Sequence, residues 1–313
     1  MLHRQLKAKP LLALAGALGL LGATLLTSPS AESPSSYLIQ GTDLAAAKAA
    51  VQAVGGEITH ELGVIRAVGA RLTPAQQTQL KASAALRVYV NSPLETAKKP
   101  NQSTEPDSSP SKTAHVSVVA ADQLHAEGIT GAGVTLAVLD SGLSFYDPIK
   151  RGTDDQLKLL AQYDATTDQA LPVWAEPNDA NGHATHVQSI SVNSELDSDT
   201  GTYQGIAPNA GLVAVKAFDA NGQGSYADVI RGIDWLVANK DSHGIRVLNL
   251  SFSAPPQSHY WDDPLNQAVM AAWQAGITVV ASAGNLGPDP QSIGVPGNVP
   301  YVITVGAMTD NYT

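Results

Sequence analysis

Three side chains suited to acid–base and polar chemistry stand in short glycine-containing motifs. Asp140 lies in Val-Leu-Asp-Ser-Gly, His183 in Gly-His-Ala-Thr-His and Asn285 in Ser-Ala-Gly-Asn. An aspartate that accepts a hydrogen bond from one imidazole nitrogen fixes the tautomer and leaves the other nitrogen free as a base. A side-chain amide can donate to an oxyanion as it develops. Together the three residue types predict acyl transfer.

Taken singly, each motif also has a structural interpretation. Asp140 fits a helix N-cap, and Asn285 fits a turn residue in the left-handed region. His183 and His186 fit structural roles, or a metal site with His-x-x-His spacing, although no third ligand motif is evident in the sequence. Only the set of three favours a hydrolytic site.

The elements that must position these residues follow from residue 114 onward, where apolar strands, polar turns and helices alternate. This rhythm predicts an α/β fold with an open, doubly wound, mostly parallel sheet covered on both faces. Ligands of such sheets bind beyond the carboxyl ends of the strands, where Asp140 and Asn285 are placed. The predicted strands are 134–139, 212–217, 247–250, 278–281 and 301–305, and the predicted helices are 116–127, one after His183, 226–239 and 264–275.

A separate small module is predicted over residues 37–91. Its apolar and turn-forming segments follow the order βαββαβ, with one helix stopped by Gly55-Gly56 and a second begun by Thr73-Pro74. Residues 92–113 are rich in Ser, Pro and Lys, so we predict a linker and maturation region there. Residues 114–313 then form the larger domain.

Composition limits the class of protein. Residues 1–31 combine basic residues, an uncharged run over 11–26 and small residues, which predicts a signal peptide and a secreted (extracellular or periplasmic) protein. The run is shorter than the roughly 20 residues that span a bilayer, so no membrane association is expected after signal removal. A formal charge of −10 argues against a nucleic-acid partner, and the absence of cysteine excludes disulfides and a thiol nucleophile.

The motifs around Asp140, His183 and Asn285 resemble those of the subtilisin-like (subtilase, peptidase S8) serine endopeptidases, in which Asp, His, Asn and Ser follow in this order. The resemblance covers about 114–313, and 37–91 resembles the family's inhibitory (I9-like) propeptide. It implies that Asp140 and His183 are triad members, that Asn285 is an oxyanion-hole donor, and that His186 is non-catalytic. Further matching segments are 205–210 (GIAPNA), 213–216 (VAVK), 247–251 (VLNLS) and 295–297 (VPG).

The same resemblance implies a peptide-binding cleft and protein or peptide substrates for a monomeric enzyme. An extended peptide pairs its main chain with an unpaired strand, which gives affinity with broad specificity. The residues implied in substrate binding are Ser251, Phe252 and Ser253 on the edge strand, Ala281, Ser282, Ala283 and Gly284 on the wall of the primary pocket, and Gly222 and Gly224 on the opposite side.

Some positions depart from the family's pattern. Ser253 and Ala184 stand where glycine is usual, which adds atoms near the substrate. The family's frequent calcium site has a carboxylate after the proline that follows the catalytic aspartate, whereas Ile149 follows Pro148 here. We therefore predict no cofactor and assign no metal ligand, although the acidic stretches 154–155 and 195–199 leave calcium open.

The family's serine nucleophile opens a helix in a Gly-Thr-Ser segment, and none of the serines up to Thr313 lies in such a segment. We therefore expect the 313 residues to be a C-terminally truncated precursor, inactive as given and with an exposed sheet edge. The alternative is an inactive remnant whose propeptide-like module inhibits, or assists the folding of, a related peptidase.

Overall fold

A computed structural model describes residues 33–96 and 115–307. The predicted signal peptide and most of the predicted linker lie outside these residues. The strands are β1 (Ser35–Gln40), β2 (Glu57–Leu62), β3 (Ala67–Leu72), β4 (Arg87–Val90), β5 (Pro93–Thr96), β6 (Thr135–Asp140), β7 (Leu159–Asp164), β8 (Gln169–Leu171), β9 (Gly211–Lys216), β10 (Gln223–Ser225), β11 (Ile245–Leu250), β12 (Phe252–Ser253), β13 (Thr278–Ser282) and β14 (Ile303–Val305). The helices are α1 (Leu44–Ala53), α2 (Pro74–Lys81), α3 (His115–Val118), α4 (Ala121–Ala126), α5 (Asp147–Lys150), α6 (His183–Val192), α7 (Tyr226–Ala238) and α8 (Pro264–Gln274).

The main sheet has seven strands in the order β14-β13-β11-β6-β9-β7-β8, and each neighbouring pair is parallel except β7 and β8. Side chains of the central strand β6 alternate between the two faces. Ala137 and Leu139 pack in one core with α7 and α8, whereas Val138 packs in a second core on the other face, with residues of α5 and α6. The predicted α/β fold with a mostly parallel sheet is confirmed.

Helix α7 shows why the apolar spacing gave a correct prediction. Ile230, Ile233 and Leu236 recur at three-residue intervals and are all fully buried. Ser225 caps the helix, since its hydroxyl accepts from the amide of Asp228. The packing of α7 against Leu139 fixes the strand that ends at Asp140.

The N-terminal module has an antiparallel sheet in the order β2-β3-β1-β4, and its elements follow the predicted order βαββαβ. Asp43 caps α1, and Thr73 with Gln76 forms a capping box on α2. Ile39, Val68 and their neighbours form a hydrophobic core within the module. The module therefore has the packing of a small domain.

The module packs against α7 and α8. Leu38 and Leu62 join the large core beneath these helices. The carboxylate of Asp234 on α7 accepts hydrogen bonds from the amides of Gly63 and Val64 at 2.9 and 2.8 Å. Burial raises the pKa of Asp234, while these two amide bonds oppose the change.

Several sequence-based predictions of local structure differ from what is observed. The helix expected over 116–127 is divided into α3 and α4 at Ala120, whose φ of 59° is left-handed. The last predicted strand is shorter, as β14, and β7 and β8 were not predicted. Within the predicted linker 92–113, Pro93–Thr96 instead form β5, which pairs with β10 and β12. At the edge of the main sheet, Ile303 and Val305 of β14 are more than half exposed.

No helix among the described residues is long and apolar enough to cross a membrane.

The C-terminal end of α6 is held by a buried ammonium group. Lys158 is 7% exposed. Its Nζ donates to the backbone oxygen of Val192 at the end of α6, and to that of Pro208 at 2.6 Å. Burial lowers the pKa of Lys158 from 10.5 to about 8. A positive charge next to the C-terminus of a helix is favourable for the helix dipole.

We predict that the contribution of Lys158 to the free energy of unfolding rises in alkaline solution. Between about pH 8 and 10.5 the unfolded chain binds the lysine proton and the folded chain does not, so stability increases with pH. Urea denaturation should show the wild type gaining stability relative to Lys158→Met across this range. The Lys158→Arg variant, whose side chain stays charged, should not gain stability over this pH range. A difference in the free energy of unfolding between wild type and Lys158→Met that does not change with pH would contradict the prediction.

Candidate active site

Asp140 ends the central strand β6 and is fully buried. Its carboxylate accepts hydrogen bonds from the amide of Ser141 at 2.7 Å and from Nδ1 of His183 at 2.7 and 2.9 Å. A buried carboxylate needs such partners because burial alone disfavours the charge. The structure therefore places the first two predicted residues in direct contact.

His183 is the first residue of α6, and Gly182 before it has φ of +86°, a conformation that suits glycine. Its side chain is 18% exposed. The hydrogen bond with Asp140 raises the pKa of His183, burial lowers it, and the charges of Asp140 and Asp179 raise it further. With Nδ1 donating to Asp140, Nε2 is left as a base, and it makes no hydrogen bond to another described residue.

His186 lies one turn further along α6, on an exposed face. In residues 33–96 and 115–307, no three His, Cys, Asp or Glu side chains lie close enough to hold a metal ion. The spacing of His183 and His186 thus does not form part of a three-ligand cluster there. Calcium binding was left open by the sequence and stays untested.

Asn285 lies three residues after β13, in an exposed turn. It borders a cavity of about 210 Å³ that is also lined by Ser253, Gly284 and Thr96. Gly284 has φ of +92°, and a Cβ at this position would lie 2.5 Å from Oγ of Ser253. The turn that presents Asn285 therefore depends on glycine, and Ser253 fills the space beside it.

The strand β5 lies in an extended conformation between two edges, β10 and β12. Leu94 pairs with Gly224, and the amide of Thr96 donates to the backbone oxygen of Gly222 at 2.9 Å. On the other side Glu95 pairs with Ser253. Strands β10 and β12 contain residues that the resemblance implied in substrate binding. In this structure they pair with β5, a segment of the chain itself.

The remaining implied residues lie on the strands β12 and β13 or directly beside them. Ser251 lies between β11 and β12, and its hydroxyl accepts from Nδ2 of Asn249 at 2.7 Å. Phe252 pairs with Thr96 and is fully buried. Ala281 and Ser282 end β13, and Ala283 joins the end of β14 by donating its amide to Val305 at 2.9 Å.

Sequence reasoning missed three parts of the site. The first is β5 itself, which had been predicted as part of a linker. The second and third are Asp179 and the hydroxyl of Ser141, which donates to Asp179 at 2.7 Å. An Asp a few residues before a helix is a common N-terminal signal, so the segment Asp-Ala-Asn-Gly-His could have indicated Asp179.

The family model of the peptidase S8, or subtilase, family matches residues 131–313. The chain belongs to the subtilase family. It is 40% identical over 190 residues to the serine protease AprX of Bacillus subtilis (strain 168). The matched region covers 59% of this chain and 40% of AprX. It is 33% identical over 198 residues to subtilisin DY of Bacillus licheniformis, covering 63% of this chain and 64% of that protein.

A solved structure of fervidolysin from Fervidobacterium pennivorans, described as a keratinolytic enzyme related to subtilisin, has a similar fold. The TM-score is 0.63 with 24% identity, covering 87% of this chain and 42% of that one. The chain thus spans less than two thirds of the length of the subtilases that it matches.

We predict that Asp140→Asn lowers the pKa of His183, because the variant loses the charged partner of its ring. NMR titration of the imidazole should show this, and Asp241→Asn, on a distant surface residue, should leave the titration unchanged. Because the pKa of His183 is raised in the folded state, protonation of His183 stabilises the fold. This stabilisation is complete below the pKa of the unfolded chain, near 6.5, and is lost as the pH rises through the pKa of the folded state. The stability advantage of the wild type over Asp140→Asn should therefore be larger at acid than at alkaline pH; an unchanged His183 titration would contradict the assignment.

Proposed function

We propose that this chain is the precursor portion of a secreted, monomeric subtilisin-like serine endopeptidase, in which Asp140, His183 and Asn285 serve the hydrolysis of peptide bonds. The single observation that supports this most is the hydrogen bond between Asp140 and Nδ1 of His183. It stands in a chain whose cleft also holds an extended peptide segment beside Asn285. A base oriented by a carboxylate, and an amide side chain beside a bound peptide segment, are two of the parts that acyl transfer needs.

In the proposed reaction a serine hydroxyl oxygen attacks the peptide carbonyl carbon while Nε2 of His183 takes the hydroxyl proton. The carbonyl electron pair moves onto oxygen, where the side-chain amide of Asn285 donates a hydrogen bond. His183 then gives its proton to the leaving amine as the C–N bond breaks. Water repeats the sequence on the acyl-enzyme, and Asp140 stabilises the imidazolium at each step.

The nucleophile is the part of this proposal that the described residues do not supply. Nε2 of His183 has no hydrogen bond to a serine in residues 33–96 or 115–307. We propose that the serine stands in a Gly-Thr-Ser segment encoded after Thr313. Sequencing the gene beyond that codon tests this: an open frame through such a segment supports the enzyme, and a stop codon there makes the chain an inactive relative.

Substrates of broad sequence are expected because β5 is held mainly by main-chain pairing to β10 and β12. One side chain of this segment, Leu94, is 1% exposed and joins the large core. We infer that residues 37–91 with β5 act as an inhibitory propeptide, whose terminal strand occupies the cleft until the linker is cleaved. The formal charge of −10 remains unfavourable for nucleic acid.

We predict that Asn285→Leu in the complete enzyme lowers kcat by about 10²-fold to 10³-fold with little change in KM, since the amide acts on charge that develops in the transition state. Hydrolysis of a chromogenic peptide measures both constants. His186→Ala, on the exposed face of α6, is the control and should retain activity. A parallel rise of KM without loss of kcat would mean that Asn285 only binds substrate.

A second candidate function is to inhibit another subtilase or to assist its folding. The module has its own core and carries β5 as a strand that fits a peptide-binding cleft. This observation favours action of the module on a separate peptidase if the protease domain of this chain proves inactive.

We predict that residues 34–96, added to a subtilisin, inhibit it, and that Leu94→Glu weakens the inhibition by about 100-fold because a buried apolar side chain becomes charged. Val90→Glu, at a position that is 60% exposed on β4, is the matched control and should inhibit as well as the unchanged module. Absence of inhibition by the unchanged module would remove this second function.

A further inference from the structure

A second aspartate, Asp179, lies in the loop that leads into α6, four residues before His183. Its carboxylate accepts four hydrogen bonds: from Oγ of Ser141 at 2.7 Å, the amide of Gly182 at 2.9 Å, and the amide and hydroxyl of Thr185 at 2.8 and 2.6 Å. Four donors on one carboxylate are far more than an exposed loop residue needs. The side chain is therefore a fixed point of this loop.

Ser141 extends the network to the strand that carries Asp140. Its hydroxyl donates to Asp179 and accepts from the amide of Ala184 at 3.0 Å. The residues on both sides of His183 are thus anchored, Gly182 by Asp179 directly and Ala184 by Ser141. These bonds also satisfy amides at the start of α6, where the helix itself provides no acceptor.

The same network ties the backbones of both members of the Asp140–His183 pair. Ser141 follows Asp140 directly and is 1% exposed. A hydrogen bond of 2.7 Å between Asp140 and His183 requires the end of β6 and the start of α6 to keep a fixed separation. The Ser141–Asp179 hydrogen bond spans this same gap, and neither of these side chains hydrogen-bonds to the imidazole.

The charge of Asp179 fits this position. Burial opposes its ionisation, but the hydrogen bonds from Thr185, Ser141 and Gly182 outweigh burial and hold the pKa of Asp179 below its usual range. An anion at the N-terminus of a helix is favourable for the helix dipole. Asp140 and Asp179 are the two carboxylates whose charges raise the pKa of His183.

We infer that Asp179 is a positioning residue of the proposed peptidase, which acts through Ser141 and the first turn of α6 to hold the ring of His183 against Asp140. Its effect on turnover rests on the proposed function, whereas its effect on the imidazole concerns this chain as it stands. The competing interpretation is an ordinary helix cap, which would stabilise the fold and affect the imidazole only through its charge, without holding the Nδ1 proton in its hydrogen bond with Asp140.

The experiment follows the Nδ1 proton of His183 by NMR in the full chain, for the wild type, Asp179→Asn and Ser141→Ala. Asp179→Asn keeps the size of the side chain and removes the charge and one acceptor oxygen, while Ser141→Ala removes the link to β6. In both variants we expect the proton resonance to move upfield and to exchange with water at least tenfold faster. In Asp179→Asn the pKa of His183 should also fall.

The matched control is Asp263→Asn. Asp263 also caps a helix, since it accepts from the amides of Leu265 and Asn266 at the start of α8. This variant should lower the melting temperature and leave the His183 resonance at its wild-type position. If both capping variants lose stability and neither moves the His183 proton, Asp179 is a cap only and the inference is overturned.

A kinetic test in the complete enzyme separates this inference from the proposed function. There Asp179→Asn should lower kcat about tenfold to 100-fold with KM nearly unchanged, because a displaced base affects the chemical step. Should the complete protein lack peptidase activity, the proposed function fails, while the NMR result still decides whether Asp179 positions the imidazole.

Discussion

The burial of the Asp140 carboxylate is the constraint on which the rest of the site depends. The end of β6 lies between two cores, so its terminal side chain has no access to water. An ionised carboxylate is stable there only with close donors, and the amide of Ser141 and Nδ1 of His183 provide them. The first turn of α6 meets this need, because it holds His183 within hydrogen-bond distance of the end of the strand.

The cleft that holds β5 depends on a different interaction, the pairing of one extended segment with two strand edges at once. Strand β5 satisfies backbone groups of β10 and β12 that would otherwise face solvent. Because main-chain groups are the same in nearly every residue, this pairing does not depend on the sequence of the segment. Leu94 adds a contact that depends on the side chain, since it is buried in the same core as Phe218 and Phe252. The cleft therefore combines general affinity with one apolar anchor.

The sequence was informative where a local pattern carries the structural cause. Asp140 follows an apolar run, and Ile230, Ile233 and Leu236 repeat with the period of a helix, so both the sheet and α7 could be predicted. Strand β5 could not, because Pro-Leu-Glu-Thr has no strand pattern of its own and its partners lie about 130 and 160 residues away in the chain. The break at Ala120 has no glycine to mark it. The local part of the role of Asp179, its bonds with Gly182 and Thr185, could have been predicted from the sequence, whereas its bond with the hydroxyl of Ser141, 38 residues away, depends on the fold.

The placement of His183 depends on both ends of its helix. At the N-terminus of α6 the carboxylate of Asp179 accepts from the amides of Gly182 and Thr185. At the C-terminus the ammonium of Lys158 donates to the backbone oxygen of Val192. The two charges have the signs that the helix dipole favours, and they come from segments on either side of β7 and β8. Sliding α6 along its axis would lengthen the contacts at one end or the other. The distance between His183 and Asp140 is therefore determined by the anchoring of the whole helix, and the hydrogen bond between them forms in a geometry that is already fixed.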